Sequence, residues 1–195
     1  MKRPRMVVVA GPPGSGKSMH FPVTAIGYDG FNVDERAAAL SGGSFRGISR
    51  SIRERAQKEC ETFVEEHIAA GESFAVETTL RSTIAIEQAR RAKLAGFELV
   101  LIFVATGDVE ENIHRIRIRG LAGGHSAPET ELRAIHERSI ANLELALGVF
   151  ERVELYDSSV RGAPPRLVAR LAGGRLTQLE EPLPDWLLGS LKSKP

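Results

Sequence analysis

Short apolar runs alternating with helical stretches predict an α/β fold, three layers built on a mainly parallel, five-stranded sheet. Three observations carry this reading. The runs Val7-Val8-Val9-Ala10 and Leu99 to Ala105 hold no charge, as strands buried on both faces do. Each run is separated from the next by a stretch long enough for a crossover helix. Glycines mark the joints, at Gly71, Gly96 and Gly148.

Taken in order, Met6–Ala10 reads as the first strand, ending at a glycine loop, and residues 16–25 as a short helix. Gly30–Val33 is a weak second strand, and Asp34 is suited to cap a helix reaching Leu40. Residues 41–47 form a Gly/Ser loop. Its Leu40-Ser41-Gly42-Gly43 resembles the signature of transporter ATPases but lies in the wrong context, before a charged helix. Ile48–Ala70 is free of glycine and apolar at Ile52, Ala56, Phe63 and Ile68, an amphipathic helix stopped by Gly71. Ser73–Glu77 is the third strand, residues 83–95 a helix and Phe97–Ala105 the fourth strand. Asp108–Arg119 is a helix followed by the glycine-rich loop 120–127. Ser126-Ala127-Pro128-Glu129 reads as a capping box opening a helix that ends near Gly148. Arg152–Tyr156 is the fifth strand. The tail, 160–195, reads as an extension with two Pro/Gly-rich turns and a short helix near Trp186. With no repeat and no break in composition, residues 1–195 are expected to form one domain.

Composition excludes several classes. Of 195 residues, 42% are hydrophobic and 26% charged, which is globular rather than disordered. A net charge of +1 gives no support to duplex DNA or a membrane surface as partner. No apolar run approaches the roughly 18–20 residues of a membrane span. The one cysteine, Cys60, excludes an internal disulfide and fits a reducing compartment, so a soluble cytoplasmic protein is expected.

The chemistry is concentrated in Gly11-Pro12-Pro13-Gly14-Ser15-Gly16-Lys17-Ser18, which fits G-x-x-x-x-G-K-[ST]. Glycines let backbone N–H groups curl around a phosphate, and a following helix N-terminus adds positive potential. Lys17 can bridge the β- and γ-phosphates of ATP, and the Ser18 hydroxyl can hold Mg²⁺. The strand before the loop is the context this motif needs. The fold expected is therefore that of a P-loop NTPase, of the nucleoside- and nucleotide-kinase type. A GTPase would carry Asn-Lys-x-Asp, and none is present.

A kinase needs a base for the acceptor hydroxyl, a substrate pocket and cations for the developing charge. Asp34, at the end of the second strand, is the candidate base. Glu77 and Thr79 follow the third strand, where open parallel sheets bind ligands. Glu77 can accept from a polyol, assist Mg²⁺, or be a buried carboxylate paired with Arg81, and Arg81 is itself a candidate substrate-binding residue with Asp34, Glu77, Thr79 and His125. Arg115 and Arg119, four apart, share a helix face from which Arg117 points away. Leading into Gly120, Gly123, Gly124 and His125, they suit a closing lid over 107–128. His125 can be a ligand of that lid or a plain loop residue. The basic run Arg46–Lys58 is interleaved with acids rather than aromatics and reads as a solvated helix face.

Together, Gly11–Ser18, Asn32-Val33-Asp34, Phe74-Ala-Val-Glu-Thr-Thr79, Gly123-Gly-His-Ser-Ala-Pro128, Arg138-Ser-Ile-Ala-Asn-Leu143 and Tyr156-Asp157-Ser158 resemble the zeta-toxin family of P-loop kinases. The resemblance runs from about Val7 to Ser159. It implies an ATP- and Mg²⁺-dependent kinase whose toxin relatives phosphorylate the 3′-hydroxyl of the aminosugar in UDP-N-acetylglucosamine. Lys17 and Ser18 match its phosphate-binding pair, Asp34 its catalytic aspartate, Glu77 and Thr79 its substrate pocket, and Arg115 or Arg119 its lid arginine. His125 stands where toxin members have a second lid arginine. An antitoxin partner belongs to the same resemblance, with no support from the residues themselves. Other readings of the loop are a polynucleotide or nucleoside kinase and a non-catalytic ATP-binding regulator.

Overall fold

A computed structural model of the chain describes residues 3–121, 124 and 127–191. Its strands are β1 (Arg5–Ala10), β2 (Asp29–Asn32), β3 (Phe74–Thr78), β4 (Glu98–Ala105), β5 (Arg152–Asp157), β6 (Arg166–Ala172) and β7 (Arg175–Leu179). They form one sheet in the order β2-β3-β1-β4-β5-β6-β7. The first five are parallel, and β6 and β7 are antiparallel. The helices are α1 (Lys17–His20), α2 (Val33–Leu40), α3 (Arg50–Ala70), α4 (Ile84–Leu94), α5 (Val109–Leu121), α6 (Glu129–Leu147) and α7 (Asp185–Leu191).

The parallel core follows the sequence expectation because its strands are the uncharged runs. Three elements differ from it. First, the expected helix over 16–25 stops at His20 and gives way to a 3-10 turn at Val23–Ala25. Pro22 cannot donate a helical hydrogen bond and biases Phe21 towards extended backbone. Second, the helix after β2 is capped by Asn32, not Asp34. The Asn32 Oδ1 accepts from the backbone N–H of Asp34 (2.9 Å) and of Glu35 (3.3 Å). Third, the tail supplies two further strands. Ala172 pairs with Arg175 across Gly173 and Gly174, with φ of 58° and 77°. Two successive left-handed residues make the tight turn whose twist matches a hairpin. The helix after the glycine-rich loop begins at Glu129, with Pro128 at the capping position. Ser126 of the expected capping box lies outside the described residues.

The layers are unequal. On one face Met6, Val8, Phe74, Val76, Leu99, Leu101, Phe103 and Leu155 pack against α3, α4, α6 and α7 through Val64, Ile86, Ala89, Leu143, Leu147, Trp186 and Leu187. On the other face Val7, Val9 and Ala75 are covered by Phe21, Val23, Ile26 and Tyr28, the segment freed by the early end of α1. Beyond it that face carries polar ladders. Glu98 pairs with Arg5 (2.6 Å) and Arg152 (2.7 Å), and Arg170 bonds Glu154 (3.0 Å) and Gln178 (2.8 Å). No helix among the described residues is long and apolar enough to cross a membrane.

Alanine at Gly173 or Gly174 is expected to lower the free energy of unfolding by about 1 kcal/mol each, the cost of a side chain in left-handed backbone. Urea unfolding of the two variants measures it.

Candidate active site

The phosphate loop begins where β1 ends. At Gly11, φ is 137° and an added Cβ would stand 1.9 Å from the Val104 carbonyl oxygen of β4. At Gly14, φ is 79° and a Cβ would meet the Asn112 carbonyl of α5 at 2.6 Å. The loop is thus pressed against both elements, which only glycine permits. Ser15 N–H donates to the Pro12 carbonyl (3.3 Å), as does the Lys17 Nζ (3.1 Å). Gly16, with φ of 88°, leads into α1. A four-residue helix sums few peptide dipoles, so the loop N–H groups and Lys17 supply most of the positive potential here. In this the chain departs from the sequence expectation of a helix N-terminus behind the phosphate.

Register brings the acid to the loop. Glu77 of β3 pairs with Val9 of β1 on one side and with Asn32 of β2 on the other. Ser18 Oγ donates to Glu77 Oε1 at 2.8 Å. Glu77 Oε2 is buried and has no hydrogen-bond partner. Burial pushes the Glu77 carboxyl above its ordinary range, against the pull of Lys17 and the Ser18 hydrogen bond, with Asp34 and Glu35 adding to the rise. Lys17 is 6% exposed. Burial lowers its pKa, the carboxylates of Glu77 and Asp34 oppose the fall, and the Arg119 guanidinium adds to it. The charges of Glu77, Asp34 and Arg119 therefore all reach Lys17. Asp34, in the first turn of α2, is exposed, and with Asn32 serving as cap its carboxylate is spared that task.

The arginines separate. Arg115 donates to Glu111 (2.8 Å), the Gly14 carbonyl (3.4 Å) and the Ser158 carbonyl (2.7 Å). It ties α5 to the phosphate loop and to the end of β5. Glu111, hydrogen-bonded by Arg161 and by Arg115, is drawn down to about 2. Arg117 turns to Glu129. Arg119 is exposed and forms no hydrogen bond or ion pair through its side chain among the described residues. Its carbonyl accepts from Gly124 N–H (2.8 Å), where any Cβ would strike the Arg119 Cγ at 2.4 Å. The next two carbonyls, of Gly120 and Leu121, accept from Arg46 Nη2 at 2.9 and 3.3 Å. Arg46 thus leaves the solvated run it was read into, whereas Arg50 and Arg55 pair with Glu54 and Glu59 on their own helix.

Arg81 is not the partner of Glu77. It stands 3.8 Å from Glu131 of α6. The residues between them form a held turn. Leu80 is fully buried with φ of 56°, its N–H bonded to Thr78 Oγ1 (3.1 Å) and its carbonyl to Asn142 Nδ2 (2.9 Å). Left-handed backbone at a bulky residue is strained and persists where its surroundings hold it. Thr79, two residues after Glu77, is half-buried in this turn. Nothing in the sequence signals a leucine in that conformation. His125, Gly123 and Ser126 lie outside the described residues.

An oxygen donor set suits Mg²⁺, and Ser18 Oγ with the adjacent Glu77 carboxylate offers one. Among the described residues no cluster of three or more His, Cys, Asp or Glu forms a metal cage. Mg²⁺ in phosphoryl-transfer sites needs none, being held largely by phosphates and water.

Folding raises the Glu77 pKa above its ordinary 4.5. The native protein then binds more protons than the unfolded chain above that value, and stability falls as pH rises through the window. Glu77→Gln, which cannot ionise, is expected to gain stability relative to the parent as pH rises above the ordinary carboxylate value of 4.5. Urea titrations across that value test it, and a difference that stays constant with pH would refute the assignment.

No family model and no curated protein matches this sequence. Solved structures do. A structure from the PezAT chromosomal toxin–antitoxin system of Streptococcus pneumoniae aligns with a TM-score of 0.62 at 20% identity, over 87% of this chain and 72% of that one. The AvrRxo1-ORF1:AvrRxo1-ORF2 complex, solved with sulphate ions and with ATP, aligns with TM-scores of 0.69 and 0.65 at 15% and 16% identity. Both alignments cover 91% of this chain, which spans 61% of the AvrRxo1 chain. The Pnkp1/Rnl/Hen1 RNA repair complex aligns at 0.58 and 19% identity, over 74% of this chain and 47% of that one. At the level of fold, the chain is a P-loop kinase-like α/β protein of the architecture to which its zeta-toxin-like motifs point.

Proposed function

We propose that this protein is an ATP-dependent kinase that transfers the γ-phosphoryl group to a hydroxyl of a small molecule, with the aminosugar of UDP-N-acetylglucosamine as the best acceptor. The observation that carries the proposal is the buried Lys17 of the glycine loop beside the Ser18–Glu77 hydrogen bond of 2.8 Å, with Asp34 and Arg119 near enough for their charge to act on Lys17. The AvrRxo1 complex solved with ATP, alike in fold, supports ATP as the donor. The sugar rests on the motif resemblance.

In this reading the triphosphate lies in the cradle from Gly11 to Ser18, where Gly11, Gly14 and Gly16 open the backbone. Lys17 holds the β- and γ-phosphates. Ser18 Oγ and one oxygen of Glu77 would hold Mg²⁺, which when bound would neutralise phosphate charge. The orphaned Glu77 Oε2 accepts from the acceptor, together with Thr79. Asp34 orients the acceptor hydroxyl and takes its proton. The hydroxyl oxygen attacks the γ-phosphorus in line, a P–O bond to the acceptor forms, and the bond to the β-phosphate oxygen breaks to release ADP. Arg119 gathers charge on the transferring group. Arg115, occupied by Gly14 and Ser158, braces the loop instead. Ser158 and Asn142, which lie within the motifs of the resemblance, serve as supports, as does Glu111.

Incubation with labelled ATP and a panel of nucleotide sugars, nucleosides and oligonucleotides tests the proposal. Label is expected on a nucleotide sugar. Label on oligonucleotide ends alone would transfer the reading to a polynucleotide kinase, and ATP binding without transfer to any acceptor would make the protein a regulator. Asp34→Asn should abolish transfer with ATP affinity nearly unchanged. Arg119→Ala should lower kcat by about 10²–10³-fold, while Arg115→Ala should chiefly raise the KM for ATP. The opposite pattern would exchange the two roles.

A further inference from the structure

Helix α6 runs along the turn that follows β3, and the contacts at its two ends fix how. Asn142 Nδ2 donates to the Leu80 carbonyl at 2.9 Å. Eleven residues earlier in the chain, Glu131 meets the Arg81 guanidinium at 3.8 Å. At 3.6 residues per turn, positions 131, 138 and 142 fall within about 40° of one another on the helix, and 131 to 142 spans about 16 Å. Leu80 and Arg81 are adjacent, so the Arg81 side chain extends along this stripe from the level of Asn142 towards that of Glu131. Arg138 stands on the stripe between them, one turn from Asn142. It is exposed and makes no hydrogen bond or ion pair among the described residues. The Arg81 side chain is 58% exposed and its carboxylate partner is loosely placed.

The charge here is uneven. Two guanidinium groups share this stripe with the single carboxylate of Glu131, and Glu77, at the end of β3, is turned to Ser18 and Lys17. The stripe belongs to α6 and the turn after Glu77. The phosphate loop is packed against β4 and α5 and meets β3 at Glu77, so the stripe is a neighbour of the cradle for the ATP phosphates and not part of it. Guanidinium groups bind phosphate oxygens in paired, charge-assisted hydrogen bonds that lysine cannot reproduce.

We infer that Arg138, together with Arg81, forms an anion subsite on the acceptor side of the cleft that takes a phosphate or diphosphate group of the acceptor. Calling the occupant the acceptor rests on the kinase reading. The subsite makes Arg138 a specificity residue, selecting hydroxyl compounds that carry phosphate over their neutral counterparts.

Calorimetry on the full chain saturated with a non-hydrolysable ATP analogue tests it, with four probes: UDP-N-acetylglucosamine, inorganic pyrophosphate, malonate and N-acetylglucosamine. Arg138→Ala is expected to weaken binding of the two diphosphates about tenfold to a hundredfold, the usual loss with a charged hydrogen-bonding partner. Affinity for N-acetylglucosamine and for the ATP analogue should not change, the latter also showing that the variant is folded, and Arg138→Lys should recover part of the loss. Equal diphosphate affinity in parent and Arg138→Ala, or no second diphosphate bound by the parent, would overturn the inference. Malonate bound as tightly as pyrophosphate would overturn the preference for phosphate. Arg138-dependent diphosphate binding in a protein that transfers label to no acceptor would refute the kinase reading and leave the subsite standing.

Discussion

An ammonium group held almost out of water needs opposite charge close by, because desolvation of an unpaired ion costs several kcal/mol. Lys17 is in that position, and its surroundings are arranged around the need. Glu77 answers it from the end of β3 and Asp34 from the first turn of α2. Glu77 is itself disfavoured by burial, so each charge makes the other tolerable. Arg119 adds a like charge beside Lys17. A polyphosphate would meet both cations there, and the glycine loop supplies N–H donors where it would lie.

Sheet order turns this requirement into geometry. With β1 flanked by β3 and β4, and β2 outside β3, the carboxyl ends of three strands open on one side. Glu77 is in register with Val9 and Asn32, so acid, phosphate loop and helix cap arise from one level of the sheet. Close packing then removes freedom. Gly11 and Gly14 lie too near the backbones of β4 and α5 for any side chain, and Arg115 bonds the loop to Ser158. Arg46, from the loop between α2 and α3, holds the last carbonyls of α5, next in the chain to Arg119.

The sequence made the parallel core and the phosphate loop readable because both rest on local patterns, an uncharged run and a spaced set of glycines. The strand Arg5–Ala10 and the helix Arg50–Ala70 needed little more than periodicity and Gly71. What stayed hidden depends on contacts far apart in the chain or on choices between neighbours. Asn32 and Asp34 both have side chains that cap helices, and only the backbone turn selects Asn32. The strands from Arg166 to Leu179 are short and interrupted by Gly173 and Gly174, and they become strands because β5 offers an unpaired edge. Arg46, Asn142 and the left-handed Leu80 act across separations that no local pattern encodes. The distinction between Arg115 and Arg119 likewise follows from where Gly14 and Ser158 lie in space.

The central place of β1 has a consequence for how the chain comes together. Met6 pairs with Phe74 and with Leu99, so this strand can find its second neighbour only after residues 7–98 between them exist. Such non-local pairing is slow, because loop closure precedes any reward in contacts. Through that interval an uncharged β-forming stretch, Met6–Ala10, lies open to other chains, the kind of segment that seeds aggregation. The antiparallel trio β5-β6-β7 has no such delay, each partner following within a short stretch of chain. Assembly on the ribosome therefore meets its hardest step at the strand that carries the phosphate loop.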